Sequence, residues 1–229
     1  MILKKWEDLP AFLRTDAVRP YYDALAARRG SLLLKRGFDI LVSAVLLAVL
    51  SPVFAVLAAA IKLDSPGPVF YRQVRVTQYG KQFRIFKFRS MVSDADKRGS
   101  LVTVSGDSRV TRVGAFIRRC RLDELCQLID VLRGTMTFVG TRPEVPRFVD
   151  AYTPEMLATL LLPAGITSEA SILYKDEAAL LDGAADVDAV YIRDVLPGKM
   201  KYNLEALKQF SFLSDLKTML RTVFAVLGR

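Results

Sequence analysis

No histidine occurs in the 229 residues. That absence removes imidazole general bases, serine–histidine and cysteine–histidine nucleophile pairs, and histidine-ligated metals. Acid–base and nucleophilic work must fall to Asp, Glu, Lys, Tyr, Ser or Cys. Cysteine is scarce too. Cys120 and Cys126 lie in one basic segment and lack metal-ligand spacing. They read as free thiols of a reducing compartment, which points to the cytoplasm. There is no internal repeat and no low-complexity tract. Acidic residues are outnumbered 24 to 33, giving a net charge of +9 and a pI near 9.7. Such a balance suits anionic lipid headgroups, phosphate substrates or nucleic acid.

Hydrophobic residues make up 52% of the chain and mean hydropathy is +0.25, high for a soluble protein. Charged residues still make up 25%, too many for a polytopic membrane protein. The mixture describes a polar domain tied to a bilayer. From Ile40 to Ile61 the chain carries no charge. As one helix this run would be roughly 33 Å long, enough to cross a hydrocarbon core of ~30 Å. A single-pass anchor is the simplest reading. Two features favour another. Both flanks are basic, with Arg28, Arg29, Lys35 and Arg36 before and Lys62, Arg72 and Arg75 after, so both ends belong in the cytoplasm. Ser51-Pro52 lies mid-run: Pro52 strips the Ala48 carbonyl of its helical partner, and the Ser51 hydroxyl can bond one turn back. A central break between basic flanks describes a re-entrant helical hairpin. Asp39 is expected at headgroup level, paired with Lys35 or Arg36.

The expected organisation is an N-terminal extension over 1–34, a re-entrant membrane helix over 35–62, and a cytoplasmic-face domain over 63–229. Trp6, Phe12, Tyr21 and Tyr22 give the extension interfacial character. Val69–Val76 and Gln82–Arg89 alternate apolar and polar residues around Tyr79-Gly80, which predicts a β-hairpin. Arg72, Lys87 and Arg89 are spaced to make one of its faces basic. Residues 154–162 and 199–229 carry amphipathic helical patterns edged by Lys201, Lys208, Lys217 and Arg221. Core packing accounts for each alone; their basic edges also suit helices lying in a membrane interface.

Residues 107–121 hold Arg109, Arg112, Arg118, Arg119 and Arg121. After them, Leu122, Leu125, Leu128, Ile129 and Leu132 share one helical face, and Gly134 reads as the stop. Asp123 and Glu124 fall in that helix's first turn, where carboxylates also serve the helix dipole. Adjacent carboxylates diverge on a helix, so they can divide labour. One can attack or ligate a metal while the other positions or takes a proton. Among so many arginines both are expected to stay ionised. Lys87, Arg89, Arg112 and Arg142 are the candidate phosphate contacts.

Several segments occur in order: Lys35-Arg36 and Asp39; Ser51-Pro52; Asp64-Ser65-Pro66-Gly67-Pro68; Phe86-Lys87-Phe88-Arg89-Ser90-Met91; Asp107 to Gly114; Leu122-Asp123-Glu124-Leu125; and Val139-Gly140-Thr141-Arg142-Pro143-Glu144. Over about residues 33–170 the series resembles the bacterial sugar transferases known as small monotopic phosphoglycosyl transferases. The resemblance implies an α+β fold on the cytoplasmic face of the bacterial inner membrane, with a broken re-entrant helix and interfacial helices. It implies an Asp123–Glu124 dyad, and Mg²⁺ with Asp123 among its ligands. It implies transfer of a sugar-1-phosphate from a UDP-sugar to undecaprenyl phosphate, with UMP released through an aspartyl-phosphosugar intermediate. That is the first membrane step of glycan assembly. Membrane lipids are implied partners, nucleic acid is not, and a homo-oligomer stays open. The sequence departs from the commonest pattern at Cys126, where proline is usual, at Thr141, where the first proline of Pro-Arg-Pro is usual, at Asp130, where asparagine is usual, and over Ser168–Ile172. Two rivals stand beside this reading. One is an anchored basic protein binding anionic lipid or nucleic acid; the other is an inactive relative serving as a scaffold.

Overall fold

The computed structural model describes residues 3–93, 95, 107–174 and 186–227. It is an α+β structure in which helices carry two small sheets. The helices are α1 (Arg19–Ala26), α2 (Arg29–Val49), α3 (Ser51–Asp64), α4 (Arg112–Arg119), α5 (Leu128–Arg133), α6 (Pro146–Val149), α7 (Glu169–Leu173), α8 (Val187–Val190), α9 (Leu196–Lys208) and α10 (Phe212–Leu227). Strands β1 (Phe70–Val76) and β2 (Gln82–Phe88) form the expected antiparallel hairpin, with Phe70 opposite Phe88 and Val76 opposite Gln82. Its turn runs through Tyr79 at φ 59° and Gly80 at φ 74°. Strands β3 (Met136–Val139) and β4 (Ala164–Thr167) pair in parallel.

The apolar run breaks where the proline demands it. Helices α2 and α3 meet at a bend of 61°, and no single helix among the described residues is long and apolar enough to cross a membrane. The Ser51 hydroxyl donates to the Ala48 carbonyl at 2.8 Å, satisfying the acceptor that Pro52 leaves without an N–H.

Asp39 is not at the protein's edge. It is 1% exposed and accepts from the Thr137 hydroxyl at 2.7 Å and the Phe138 N–H at 3.3 Å. Its expected partners are engaged elsewhere. Lys35 donates to Asp215 of α10 at 2.5 Å and to the Val139 carbonyl at 2.7 Å. Arg36 donates to the Val131 and Leu132 carbonyls at 2.7 and 2.9 Å, adding a side-chain cap to the last turn of α5. Side chains of the apolar hairpin thus bolt it to β3, α5 and α10.

The first residues are not a detached interfacial extension. Leu3, Leu9, Leu13, Val18, Tyr21, Tyr22 and Leu25 are buried in one cluster with Leu160, Leu161, Leu204, Leu207 and Phe210. Fully burying aliphatic side chains such as Leu13 and Leu25 contributes roughly 2 kcal/mol each. The same cluster corrects the amphipathic reading of 154–162. That stretch is a short 3₁₀ helix, Met156–Leu161, with Ala158 through Leu161 buried. The pattern over 199–229 splits into α9, which buries Leu204 and Leu207, and α10, which leaves Leu213, Leu220, Val223 and Phe224 exposed.

Candidate active site

The acidic pair does not open an α-helix. Leu122–Gln127 form a 3₁₀ helix, and α5 begins only at Leu128. The preceding Arg121 sits in the left-handed region at φ 57°, ψ 23°. A non-glycine residue there stores strain of a kind that concentrates at functional sites. Both helix types repeat apolar contacts at i and i+3, so the leucine spacing suited either. Gly134, at φ 83°, ends α5 as expected.

Three elements converge on the pair. Strand β2 packs on the 3₁₀ turn. The buried Asp130 carboxylate accepts the Phe86 N–H at 2.8 Å and fixes the register of that contact. Lys87, next along β2, reaches Glu124 at 3.0 Å. From the third side, Arg142 makes a two-pronged ion pair with Glu124, with Nη1 at 3.2 Å from Oε2 and Nη2 on Oε1. The Arg142 turn is clamped at both ends. Thr141 accepts from the Gly165 N–H at 2.9 Å, and Glu144 accepts through its carbonyl from the Val76 N–H at 2.9 Å. Gly165 is required there, because a Cβ on it would stand 2.2 Å from the Gly140 nitrogen.

The electrostatics separate the two carboxylates. Burial, the largest influence on Glu124, pushes its pKa up, but Arg142 and Lys87 outweigh burial and hold it well below the usual carboxylate range. Asp123 moves the other way: burial, then the charge of Glu124, raises its pKa against Lys87 and Arg118. The surrounding cations thus act unequally on the two carboxylates, lowering Glu124 and failing to offset burial at Asp123. The Asp123 side chain is bonded only by its own backbone N–H and makes no ion pair among the described residues. Burial pulls the Lys87 ammonium down, Glu124 holds it up, and Arg142 and Arg75 add repulsion. Burial pushes the Cys126 thiol far up, so it is an inert core group.

Asp123, Glu124, Lys87 and Arg142 line one open cavity of about 1710 Å³. The same cavity reaches Leu46 and Leu50 near the helix bend, Ile166 of β4 and Ala225 of α10. It is also lined by Arg118 and Arg121, which the candidate list omitted. Their place in the arginine-dense stretch directly before the pair was the available signal.

The two other expected phosphate contacts are placed differently: Arg89 lines the cavity and Arg112 does not. Arg89 is 4% exposed, and both terminal nitrogens of its guanidinium bond the loop after α3, while its Nε has no partner among the described residues. It donates to the carbonyls of Pro66 at 2.8 Å, Ser65 at 2.7 Å and Ile61 at 3.3 Å, and to the Ser65 and Ser93 hydroxyls. Arg112 is exposed at the start of α4 and lies outside the cavity lining. The uniformly basic hairpin face is also corrected. Register puts Arg72 beside Phe86, on the face opposite Lys87. There it stacks on the Phe86 ring at 3.5 Å and donates to the Arg84 carbonyl.

No cluster of three or more Cys, Asp or Glu able to hold a metal occurs among the described residues. Glu124 is saturated by cations, which leaves the Asp123 carboxylate. A single carboxylate fits Mg²⁺ that arrives with substrate phosphates and keeps its waters. It does not fit an all-protein cage.

A family model described as bacterial sugar transferase matches residues 30–229. The chain is 36% identical over 197 residues to a UDP-N-acetylgalactosamine-undecaprenyl-phosphate N-acetylgalactosaminephosphotransferase of Aeromonas hydrophila, covering 85% of this chain and 44% of that protein. It is 37% identical over 197 residues to the UDP-glucose:undecaprenyl-phosphate glucose-1-phosphate transferase of Escherichia coli, covering 84% and 40%. It is 32% identical over 198 residues to the uncharacterized sugar transferase EpsL of Bacillus subtilis, covering 86% and 88%. The chain thus spans less than half the length of the first two relatives and most of the third.

Proposed function

The chain belongs to the bacterial sugar transferase family, and from that premise we propose that it moves a sugar-1-phosphate from a UDP-sugar to undecaprenyl phosphate, releasing UMP. The observation that carries the proposal is the division between the two carboxylates. Glu124 is held by Lys87 and Arg142, whereas Asp123 lines the cavity with no ion pair on its side chain among the described residues. A carboxylate whose pKa is raised is a better nucleophile than one saturated by cations.

In the first step an Asp123 oxygen attacks the β-phosphorus of the UDP-sugar. The bond from that phosphorus to the bridging oxygen breaks, and UMP departs with the electron pair. The phosphosugar remains on the carboxylate as an acyl phosphate. In the second step an oxygen of undecaprenyl phosphate attacks the same phosphorus and restores the Asp123 carboxylate. Lys87 and Arg142, fixed by Glu124, present cationic charge to the phosphate oxygens before the reaction begins, so no reorganisation is needed as charge moves. Arg118 and Arg121 add to that field. Mg²⁺, held by Asp123 with the diphosphate, would neutralise charge on the leaving UMP.

The relatives named for undecaprenyl phosphate acceptors support the choice of lipid. The surface supports a site at the membrane. Leu41, Val45, Val49, Val53 and Val56 on the bent pair, and Leu213, Leu220, Val223 and Phe224 on α10, are all exposed. Exposed apolar side chains in such number belong in an apolar environment. We read α2–α3 as a re-entrant hairpin and α10 as lying in the interface, with the cavity opening on the cytoplasmic face. The rival of a basic nucleic-acid binder has fewer free guanidinium groups to offer: Arg36, Arg72, Arg89 and Arg109 are bonded within the protein.

The test is UMP release by purified protein with Mg²⁺, undecaprenyl phosphate and a panel of UDP-sugars. Wild type should release UMP with one donor, and Asp123→Asn should release none while keeping its fold. Substantial turnover by Asp123→Asn would remove Asp123 as the nucleophile.

A further inference from the structure

A second charged cluster lines the same cavity, and the reaction does not call on it directly. Glu144, Tyr191 and Lys199 are 6%, 2% and 4% exposed, so none of them is a solvated surface group. The Tyr191 hydroxyl donates to Glu144 Oε1 at 2.6 Å, and Lys199 Nζ donates to the Tyr191 oxygen at 2.9 Å while lying 3.7 Å from the same carboxylate. Arg75 approaches Glu144 Oε2 at 3.9 Å and donates to the Pro143 carbonyl at 3.1 Å. Burying a lysine and an arginine around one carboxylate is costly unless the geometry is enforced. It is enforced here. Tyr191 opens a π-helical turn, Tyr191–Val195, between α8 and α9, and its ring stacks on Phe148 with centroids 4.7 Å apart. Lys199 follows Gly198, where a Cβ would stand 2.1 Å from the Tyr174 hydroxyl. π-Turns of this kind recur at functional sites.

Glu144 is two residues beyond Arg142. We propose that Lys199 is a positioning residue: with Tyr191 and Arg75 it holds Glu144 and the Pro143 carbonyl, and so presents Arg142 to Glu124 and to the substrate diphosphate. Held this way, the Glu144 carboxylate is committed to Tyr191, Lys199 and Arg75 while Arg142 pairs with Glu124. Released, it would be free to compete for the same guanidinium with Glu124 and with phosphate. The inference rests on the proposed role of Arg142 as a phosphate contact.

The test is a double-mutant cycle on UDP binding, measured calorimetrically with Mg²⁺ on the full chain in lipid nanodiscs. Lys199→Met should weaken UDP binding about tenfold, the size of a typical coupling within one network. It should add no further loss to Arg142→Met, and Lys199→Arg should recover part of the affinity. A merely structural lysine would lower the unfolding temperature without moving the Kd of the folded protein. An unchanged Kd for folded Lys199→Met, or an equal loss in both backgrounds, overturns the proposal. If Lys199→Met does not fold, Tyr191→Phe removes one oxygen from the same relay and runs the same cycle. An Arg142→Met variant that binds UDP as tightly as wild type counts against the phosphate contact itself, separating that failure from a failure of the coupling.

Discussion

Replacing Glu124 by glutamine should move the pH profile of the donor half-reaction toward acid. On the proposed mechanism the active form has Asp123 ionised, so UMP release should fall as pH drops through the Asp123 pKa. That pKa is raised by burial and next by the Glu124 charge. Removing the charge lowers it. The substitution also releases Lys87 and Arg142, which now sit on Glu124, and both then act on Asp123 in the same direction. Loss of a like charge and gain of an opposite one each shift a carboxyl by about one unit or more, so the acid limb should move down by at least about one unit, roughly 1.4 kcal/mol. Lys87 supplies the second limb. Burial lowers its pKa and Glu124 holds it up, so in Glu124→Gln the alkaline limb should also come down. The whole bell shifts, and its height falls because two cations lose their anchor. The assay is kcat/KM for UMP release against pH, which reports the ionisations of free enzyme. An acid limb that stays in place or moves up would refute the assignment of charge around Asp123.

Replacing Ser51 and Pro52 by leucines should favour a straight spanning helix; a cysteine-accessibility map that still finds both flanks cytoplasmic would show that this pair does not set the bend. Asp130→Asn should leave stability unchanged or raise it by up to about 1 kcal/mol. Burial raises the Asp130 pKa, so the ionised form is penalised in the fold above that pKa, and asparagine keeps an oxygen for the Phe86 N–H; a clearly lowered denaturation midpoint at neutral pH would contradict this. Chelation with EDTA should stop UMP release and added Mg²⁺ should restore it, and indifference to chelation would take the metal out of the mechanism.

The features legible in the sequence are those written in backbone chemistry. Pro52 lacks an N–H whatever surrounds it, and the chain bends there. Alternation on both sides of Tyr79-Gly80 leaves a hairpin as the economical solution, and Gly134 ends α5 because its φ is positive. What escaped depends on tertiary partners. Arg89 and Lys87 are two residues apart in one strand-like run, yet one guanidinium turns into carbonyls while the other cation meets Glu124. Nothing local in Phe86–Ser90 separates them; the difference is made by the loop at Ser65–Pro66. Asp39 looked like a headgroup-level residue because its acceptors' partners, Thr137 and Phe138, lie far along the chain. Tyr21 and Tyr22 looked interfacial because amphipathic aromatics suit both a membrane edge and a core with polar rims.

The Arg36 bonds to the end of α5 carry a mechanical consequence. Helix α5 continues directly from the turn that bears Asp123, and Arg36 ties its far end to the helix that precedes the bend. On the proposed seating of α2–α3 in a leaflet, the Asp123 carboxylate has little freedom to bob on a loop. It rides at a fixed height above the hairpin's lowest point. On that proposed reading the hairpin acts as a depth gauge: its length, counted in turns, would set where Asp123 stands relative to a lipid phosphate.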